Sequence, residues 1–387
     1  MSKIFKPEYL LFIFLLSFGI YLSFISGYGS DEDTLALIGA YESMIGGQKL
    51  MASRFTPYPV AELGIGFLSY QFGSWASNLS TFIFSILSYL FFFKALEKKI
   101  EFVSIFFFII LCLSNNTLFF DNLEPIDYSW ALLPFSIGLF FLKKNRFELA
   151  IVFFGISIGA RINFVLFVLI ATILFNYSPN LSIKKKLILF ASSFFIGGLF
   201  YLPIWFSNGL GLDWLTAVTP NEQGYFGLLA RFTYKVILSL TIISLIFILI
   251  NLFNKKKLIF FDNSIFILGI IVSNLILFFF IPAEISYLQP FIIALYYLLY
   301  KNFSKKILYI IIFLNLFSWI GEIDFLKIKY KSPDKCNNVQ AISAEFDLSF
   351  KHGRYFQFKN SRDKISCWVT NNSQRSQKIL SGKALKD

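Results

Sequence analysis

Residues 147–186 read FELAIVFFGISIGARINFVLFVLIATILFNYSPNLSIKKK, and the path of this stretch decides the topology of the chain. A single long helix across it would put Lys184, Lys185 and Lys186 on the opposite side from Lys143, Lys144 and Arg146. Every later basic block would be inverted too, against the rule that keeps Lys and Arg on the cytoplasmic side of a membrane. Two crossings restore the rule. Yet about 37 residues make only about 55 Å of helix, short of twice a bilayer core of about 30 Å. The stretch therefore predicts a short hairpin turning near Gly159–Asn163, with Arg161 below the outer surface at the mouth of a cavity.

On the N-terminal side, apolar runs of near-spanning length fall at 9–26, 75–93, 102–120 and 125–142. Lys3 and Lys6 precede the first, and Lys94, Lys98 and Lys99 follow the second. On the C-terminal side, runs at 187–206, 233–253, 264–281, 287–300 and 307–320 are separated by Lys255–Lys257 and by Lys301, Lys305 and Lys306. With the hairpin, the expectation is an all-α polytopic membrane protein of about eleven transmembrane helices, N-terminus inside and C-terminus outside. Residues 1–320 form the membrane domain, and 321–387 form a small extracytoplasmic segment, α+β or irregular. No internal repeat is visible, which disfavours two-fold transporter architectures.

Composition agrees with this class: 56% of residues are hydrophobic, 52 are Phe, 15% are charged and the mean hydropathy is +0.66. A net charge of +12 invites a nucleic-acid reading, but the lysines sit in short blocks between apolar runs, so no nucleic-acid partner is expected. The first run lacks a small-residue cleavage site and is read as a retained helix.

The first external loop, 27–68, carries Tyr28-Gly-Ser-Asp31-Glu32-Asp33-Thr34, an amphipathic run Leu35–Ile45, Gly46-Gly47 and Arg54-Phe-Thr-Pro57-Tyr58-Pro59. Ser30 and Asp33 fit a capping box, and acids are favoured at a helix N-terminus. Capping accounts for one or two of the acids and poorly for three.

An Asp-Glu pair after the first span, a short helix ending in Gly-Gly and a Pro-Tyr-Pro entry resemble the first external loop of the GT-C glycosyltransferases. These polytopic enzymes use polyprenyl-phosphate-linked sugars, as the aminoarabinose transferases and protein O-mannosyltransferases do. The resemblance matches Asp31 to their catalytic aspartate. Glu124-Pro-Ile-Asp127 is similar to a second acidic feature of the group. Some members use it with the first-loop acids to hold a divalent cation, Mg or Mn, but the spacing here departs from their tight acidic pair and the metal is left unassigned. Ile281–Pro290, with Glu284 and Tyr287, resembles the outer hairpin before a late helix. The likeness covers roughly 9–320 in architecture and only these motifs in sequence.

Charged side chains beside membrane spans usually face a bundle interior or a cavity. On the outer side these are Glu62, Asp121, Glu124, Asp127, Arg161, Arg231, Lys235 and Glu284. Sugar transfer from a lipid phosphate needs a carboxylate to take the acceptor proton and fixed cations for the departing phosphate. Asp31 is the expected base, and Arg161, with Arg231 or Lys235, the expected phosphate partner. Glu32, Asp33, Arg54, Tyr58, Glu124, Asp127, Glu284 and Tyr287 complete the expected substrate site. The expected partners are the polyprenyl-phosphate-sugar donor, a lipid, glycan or protein acceptor, and the membrane, taken as a bacterial inner membrane.

A lipid-linked sugar flippase or transporter would show paired broken helices and charges near the midplane, and an O-antigen polymerase would carry basic groups on large external loops. A non-enzymatic membrane scaffold needs no acidic cluster. The single histidine, His352, lies outside the spans, so no histidine-based triad is expected in a membrane cavity. In the segment from Glu322, short strands are expected at Arg354–Phe358 and Ile365–Val369. Cys336 and Cys367, placed outside by the topology, are expected to form a disulfide, two free thiols being the alternative. Cys112 reads as a buried small hydrophobe.

Overall fold

The computed structural model describes residues 7–28, 32–47, 57–176, 181–207, 224–255, 259, 261–282, 284–330, 339–356, 358, 377–378 and 381–386, with backbone alone at 32–33, 224, 226, 324–330, 339–348 and 352. The described chain is mostly helical. Among the described residues, two helices are long and apolar enough to cross a bilayer, α1 (Pro7–Ile25) and α4 (Ser74–Leu96). The number rises to four if each of two sharply bent helix pairs crosses as one.

The turn expected near Gly159–Asn163 is present. Helix α7 (Tyr128–Lys143) leads into α8 (Phe147–Ala160), and residues 161–163 turn the chain into α9 (Phe164–Leu174). Helices α8 and α9 have 14 and 11 residues, about 21 and 16 Å long at 1.5 Å per residue. Helix α10 (Ile183–Leu199) packs against α8 at two glycines. A methyl on Gly155 would lie 2.4 Å from Ile196 Cγ2, and one on Gly197 2.5 Å from Ile158 Cγ2, so these helices meet almost backbone to backbone.

Three predicted spans are interrupted. The run at 102–120 is α5 (Phe102–Ser114) and α6 (Asn116–Phe120), bent by 93° at Asn115. The run at 233–253 is α12 (Gly224–Leu240) and α13 (Ile242–Asn254), bent by 87° at Thr241, whose φ is +56°. The run at 187–206 divides into α10 and α11 (Leu202–Ser207). The two sharp bends are joined: Asn115 Nδ2 donates to Ser239 O at 2.9 Å and to Tyr296 Oη at 3.0 Å. Asn315 Nδ2 donates to the same phenol oxygen at 2.8 Å and accepts from Ser244 Oγ at 2.8 Å. Ser239 O, left without its helical partner beside the Thr241 bend, thus finds one at the Asn115 bend.

Helix α2 (Glu32–Ile45) starts three residues before the predicted run, placing Glu32 and Asp33 in its first turn, where exposed backbone N–H groups favour acids. Ser30, the other half of the predicted capping box, lies outside the described residues. Residues counted in the external loop and beyond form a packed helix, α3 (Pro59–Phe72), with Ala61, Glu62, Ile65 and Ser69 buried. Helices α14 (Ser264–Phe280), α15 (Gln289–Asn302) and α16 (Lys305–Phe317) follow the predicted runs.

The basic loops gather at one end. Lys301 Nζ and Tyr297 Oη donate to Glu97 at 2.9 and 3.0 Å. Lys143 Nζ donates to the Lys94 and Glu97 carbonyls, and Lys98 pairs with Asp262. Helices α4, α7 and α15 reach this end at their C-termini, so Asp127, Tyr128 and Gln289 lie at the other.

After α16 the chain forms an antiparallel pair, β1 (Glu322–Tyr330) and β2 (Val339–Ser349), running from Glu322 against Ser349 to Tyr330 against Val339, with register shifts between Asp324 and Leu326 and between Lys329 and Tyr330. The strand expected at 354–358 is not formed: residues 354–356 are helical. Their backbone is tied to the end of α16, Arg354 N to Ser318 O at 3.4 Å and Tyr355 N to Trp319 O at 2.6 Å. The Tyr355 ring joins Phe18, Phe120 and Trp319 in one aromatic cluster. The strand expected at 365–369 and both Cys336 and Cys367 lie outside the described residues. Cys112 is buried in α5, as expected.

Candidate functional site

The α8–α9 turn exists because Arg161 leaves the helix: its φ of −156° and ψ of 121° are extended, while its N–H still closes the last turn on Ser157 O at 3.0 Å. Its side chain enters a cage built by three other elements. Asp127 precedes α7, Tyr58 precedes α3, and Tyr287 lies in the 3-10 turn Ile285–Leu288 that leads into α15.

Arg161 Nη1 donates to Asp127 Oδ1 at 2.9 Å, and Nη2 donates to Tyr58 Oη at 3.1 Å. The guanidinium carbon lies 3.4 Å from the Tyr128 ring centroid, 4.5 Å from that of Tyr58 and 4.7 Å from that of Tyr287. Both charged side chains are 1% exposed, so Arg161 is enclosed rather than at an open mouth. A carboxylate and three aromatic faces replace the water this cation gives up.

Three polar atoms of the cage, Asp127 Oδ2, Arg161 Nε and Tyr128 Oη, have no hydrogen-bond partner among the described residues. Unspent hydrogen-bonding capacity at a buried ion pair costs stability, and such atoms mark where a water or ligand oxygen fits. Glu284 lies within electrostatic range of both Tyr128 and Lys235, and Lys235 within range of Arg231 one turn earlier on α12. Tyr58 N donates to Glu62 Oε1 at 3.2 Å. Glu62 also lines a small, mainly apolar pocket between Tyr41 and Met44 of α2, Leu63 of α3, and Pro203 and Ile204 of α11.

A second charged cluster adjoins the first through the same 3-10 turn. Asp121 accepts from Ser286 Oγ at 3.0 Å and pairs with Arg354. Burial pulls the Arg354 guanidinium down, and Asp121, with Glu124 and Glu322 nearby, more than offsets this and leaves it above its ordinary range.

Of the residues expected at the site, Tyr58, Asp127, Arg161 and Tyr287 come together; Glu284 lies in electrostatic range of Tyr128 and Lys235, while Arg231 is exposed and in range of Lys235. Glu124 belongs to the Arg354 cluster. Glu32 and Asp33 are placed by backbone only, and Asp31 and Arg54 lie outside the described residues. Tyr128 was not singled out from sequence, although an aromatic directly after an acid at a helix start was the available signal. The Ser286–Asp121–Arg354 link joins distant segments and left no local signal. Among the described residues, no group of three or more His, Cys, Asp or Glu is placed to hold a metal ion. Asp121 and Asp127 are each paired with an arginine.

No family model, curated protein or solved structure matches the chain.

Proposed function

We propose that this chain is an inverting membrane glycosyltransferase of GT-C type, with eleven crossings and an external active site, that moves a sugar from a polyprenyl-phosphate donor to a lipid, glycan or protein acceptor. The observation that carries the reading is the Asp127–Arg161 cage: a buried cation whose Nε has no described partner, ringed by aromatic faces, with Glu284 in electrostatic range of Tyr128 and of Lys235. Asp31 takes the proton of the acceptor hydroxyl as its oxygen attacks the anomeric carbon, and the bond from that carbon to the phosphate oxygen breaks. The leaving polyprenyl phosphate gains negative charge, which Arg161, through Nε, and the α12 pair Arg231 and Lys235 stabilise. The gathering of basic loops at the end opposite the cage supports the N-inside orientation and a plasma-membrane setting. No step is routed through a metal. The test is incubation of the purified protein with a panel of polyprenyl-phosphate sugars and candidate acceptors, scored by acceptor-dependent release of polyprenyl phosphate. No release with any donor overturns the reading.

The two joined helix breaks favour a second reading, a lipid-linked sugar flippase, because discontinuous helices are a recurrent device of transporters. Against it, the groups described at the breaks, Asn115, Tyr296, Asn315 and Ser244, are neutral, and the charges lie at helix ends. Movement of a labelled lipid-linked sugar across reconstituted vesicles without acceptor would decide for the flippase.

A further inference from the structure

Residues 382–386 lie across the α3–α4 junction, more than three hundred residues away in sequence. Gly382 O accepts from Ser74 N at 3.0 Å and from Ser74 Oγ at 3.1 Å. Leu385 N and Lys386 N both donate to Tyr70 O, at 3.1 and 3.0 Å. The Tyr28 hydroxyl is shared between Lys383 O at 2.8 Å and Ser69 O at 3.2 Å. Burial, with Glu42 nearby, pushes the Tyr28 phenol above its ordinary range, so it stays a donor.

The junction is shaped for this segment. Gly73 and Gly382 have φ of +92° and +68°, and a methyl on Gly73 would lie 2.7 Å from Gly382 O. One on Gly382 would lie 2.5 Å from Ser74 Oγ. Both positions thus need glycine for conformation and for space. Leu385, 7% exposed, is buried with Tyr28 and with Ile38 of α2, and Leu35 and Tyr70 pack on the three. One short segment therefore grips the residues on both sides of the acidic stretch 31–33: Tyr28 before it and α2 after it.

We propose that residues 382–386 are an intramolecular clasp that positions Tyr28 and α2, and thereby the acidic stretch they flank. The effect on turnover rests on the glycosyltransferase reading; the mechanical effect on α2 does not.

The experiment is hydrogen–deuterium exchange on the full chain in detergent, comparing wild type with Tyr28→Phe and Leu385→Ala. Tyr28→Phe removes one shared hydrogen bond and keeps the ring, so the amides of Leu385, Lys386 and α2 should exchange about fivefold faster. Leu385→Ala should accelerate them about thirtyfold or more, with α14 and α15 unchanged and Leu385→Met restoring protection. The clasp is overturned if α2 keeps wild-type exchange while residues 385 and 386 are released, or if α14 and α15 accelerate equally. Should Leu385→Ala not fold, Tyr28→Phe decides alone. In turnover assays Leu385→Ala should lower kcat with little change in donor KM, and Leu385→Met should restore it. Unchanged kcat alongside faster α2 exchange overturns the positioning role. A wild type without turnover sinks the proposed reaction and leaves the exchange result standing.

Discussion

Asp127 and Arg161 are joined by a single hydrogen bond, Nη1 to Oδ1 at 2.9 Å, although both are 1% exposed and each keeps one polar atom without a described partner. A pair this buried is costly to break from one side. Asp127→Ala should lower stability by about 3–5 kcal/mol, because the guanidinium is left charged and uncompensated. The double change Asp127→Leu with Arg161→Leu should cost clearly less than Asp127→Ala. Thermal unfolding in detergent measures both, and equal losses would show that packing rather than charge holds the turn.

Asp31→Asn keeps most of the capping ability of the side chain, since Asn caps about as well as Asp, and removes the capacity to take a proton. Turnover should fall by roughly two to four orders of magnitude with the fold intact. Near-normal turnover would remove Asp31 as the base and direct attention to Asp33 or to Glu124 and Asp127. Arg161→Lys keeps the charge and loses the planar fork, so weaker donor binding with a smaller loss of kcat is expected.

The topology makes its own prediction. A reporter fused after Lys186 should be cytoplasmic, and one fused after Asp387 extracytoplasmic. Both reporting one side would contradict the eleven-crossing arrangement.

Cys336 and Cys367, placed together outside the membrane by that topology, should resist alkylation in native membranes until a reductant is added. Immediate labelling of both would show two free thiols.

The junction of the bent helices predicts a local cost. Asn115→Ala removes donors to Ser239 O and Tyr296 Oη and the acceptor of Leu118 N–H, so a loss of about 1–3 kcal/mol is expected. It should appear in thermal unfolding and in faster amide exchange of α6. Unchanged exchange there would show that the bend is fixed by packing alone.

The turn at Arg161 was legible from the spacing of the basic blocks: reading 147–183 as one long helix puts Lys184–Lys186 on the wrong side of the rule that gathers Lys and Arg together. The bend at Asn115 had a trace, Ser114-Asn115-Asn116 inside an apolar run, which helix-length arguments pass over. The bend at Thr241 had none, since a β-branched residue at φ +56° is a choice made by surrounding structure rather than by local propensity. Strands were expected at Arg354–Phe358 and form instead at Glu322–Tyr330, where Lys327-Ile328-Lys329-Tyr330 alternates with period two. Tyr58, Asp127, Arg161 and Tyr287 were each visible as polar interruptions near helix ends. Their convergence depends on tertiary packing, and so does the grip of Leu385 on α2.

The glycine contact between α8 and α10 constrains how this chain can drift in sequence. Gly155 lies where a methyl would stand 3.3 Å from Gly197 N, and Gly197 where one would stand 3.2 Å from Gly155 O. Trimming Ile158 or Ile196 would relieve the side-chain collisions and leave the close backbone approaches, so a methyl at 155 or 197 also needs the two helices to part by a few tenths of an ångström. The four positions therefore pack as one unit, and they seat the helix that ends at Arg161 directly against α10.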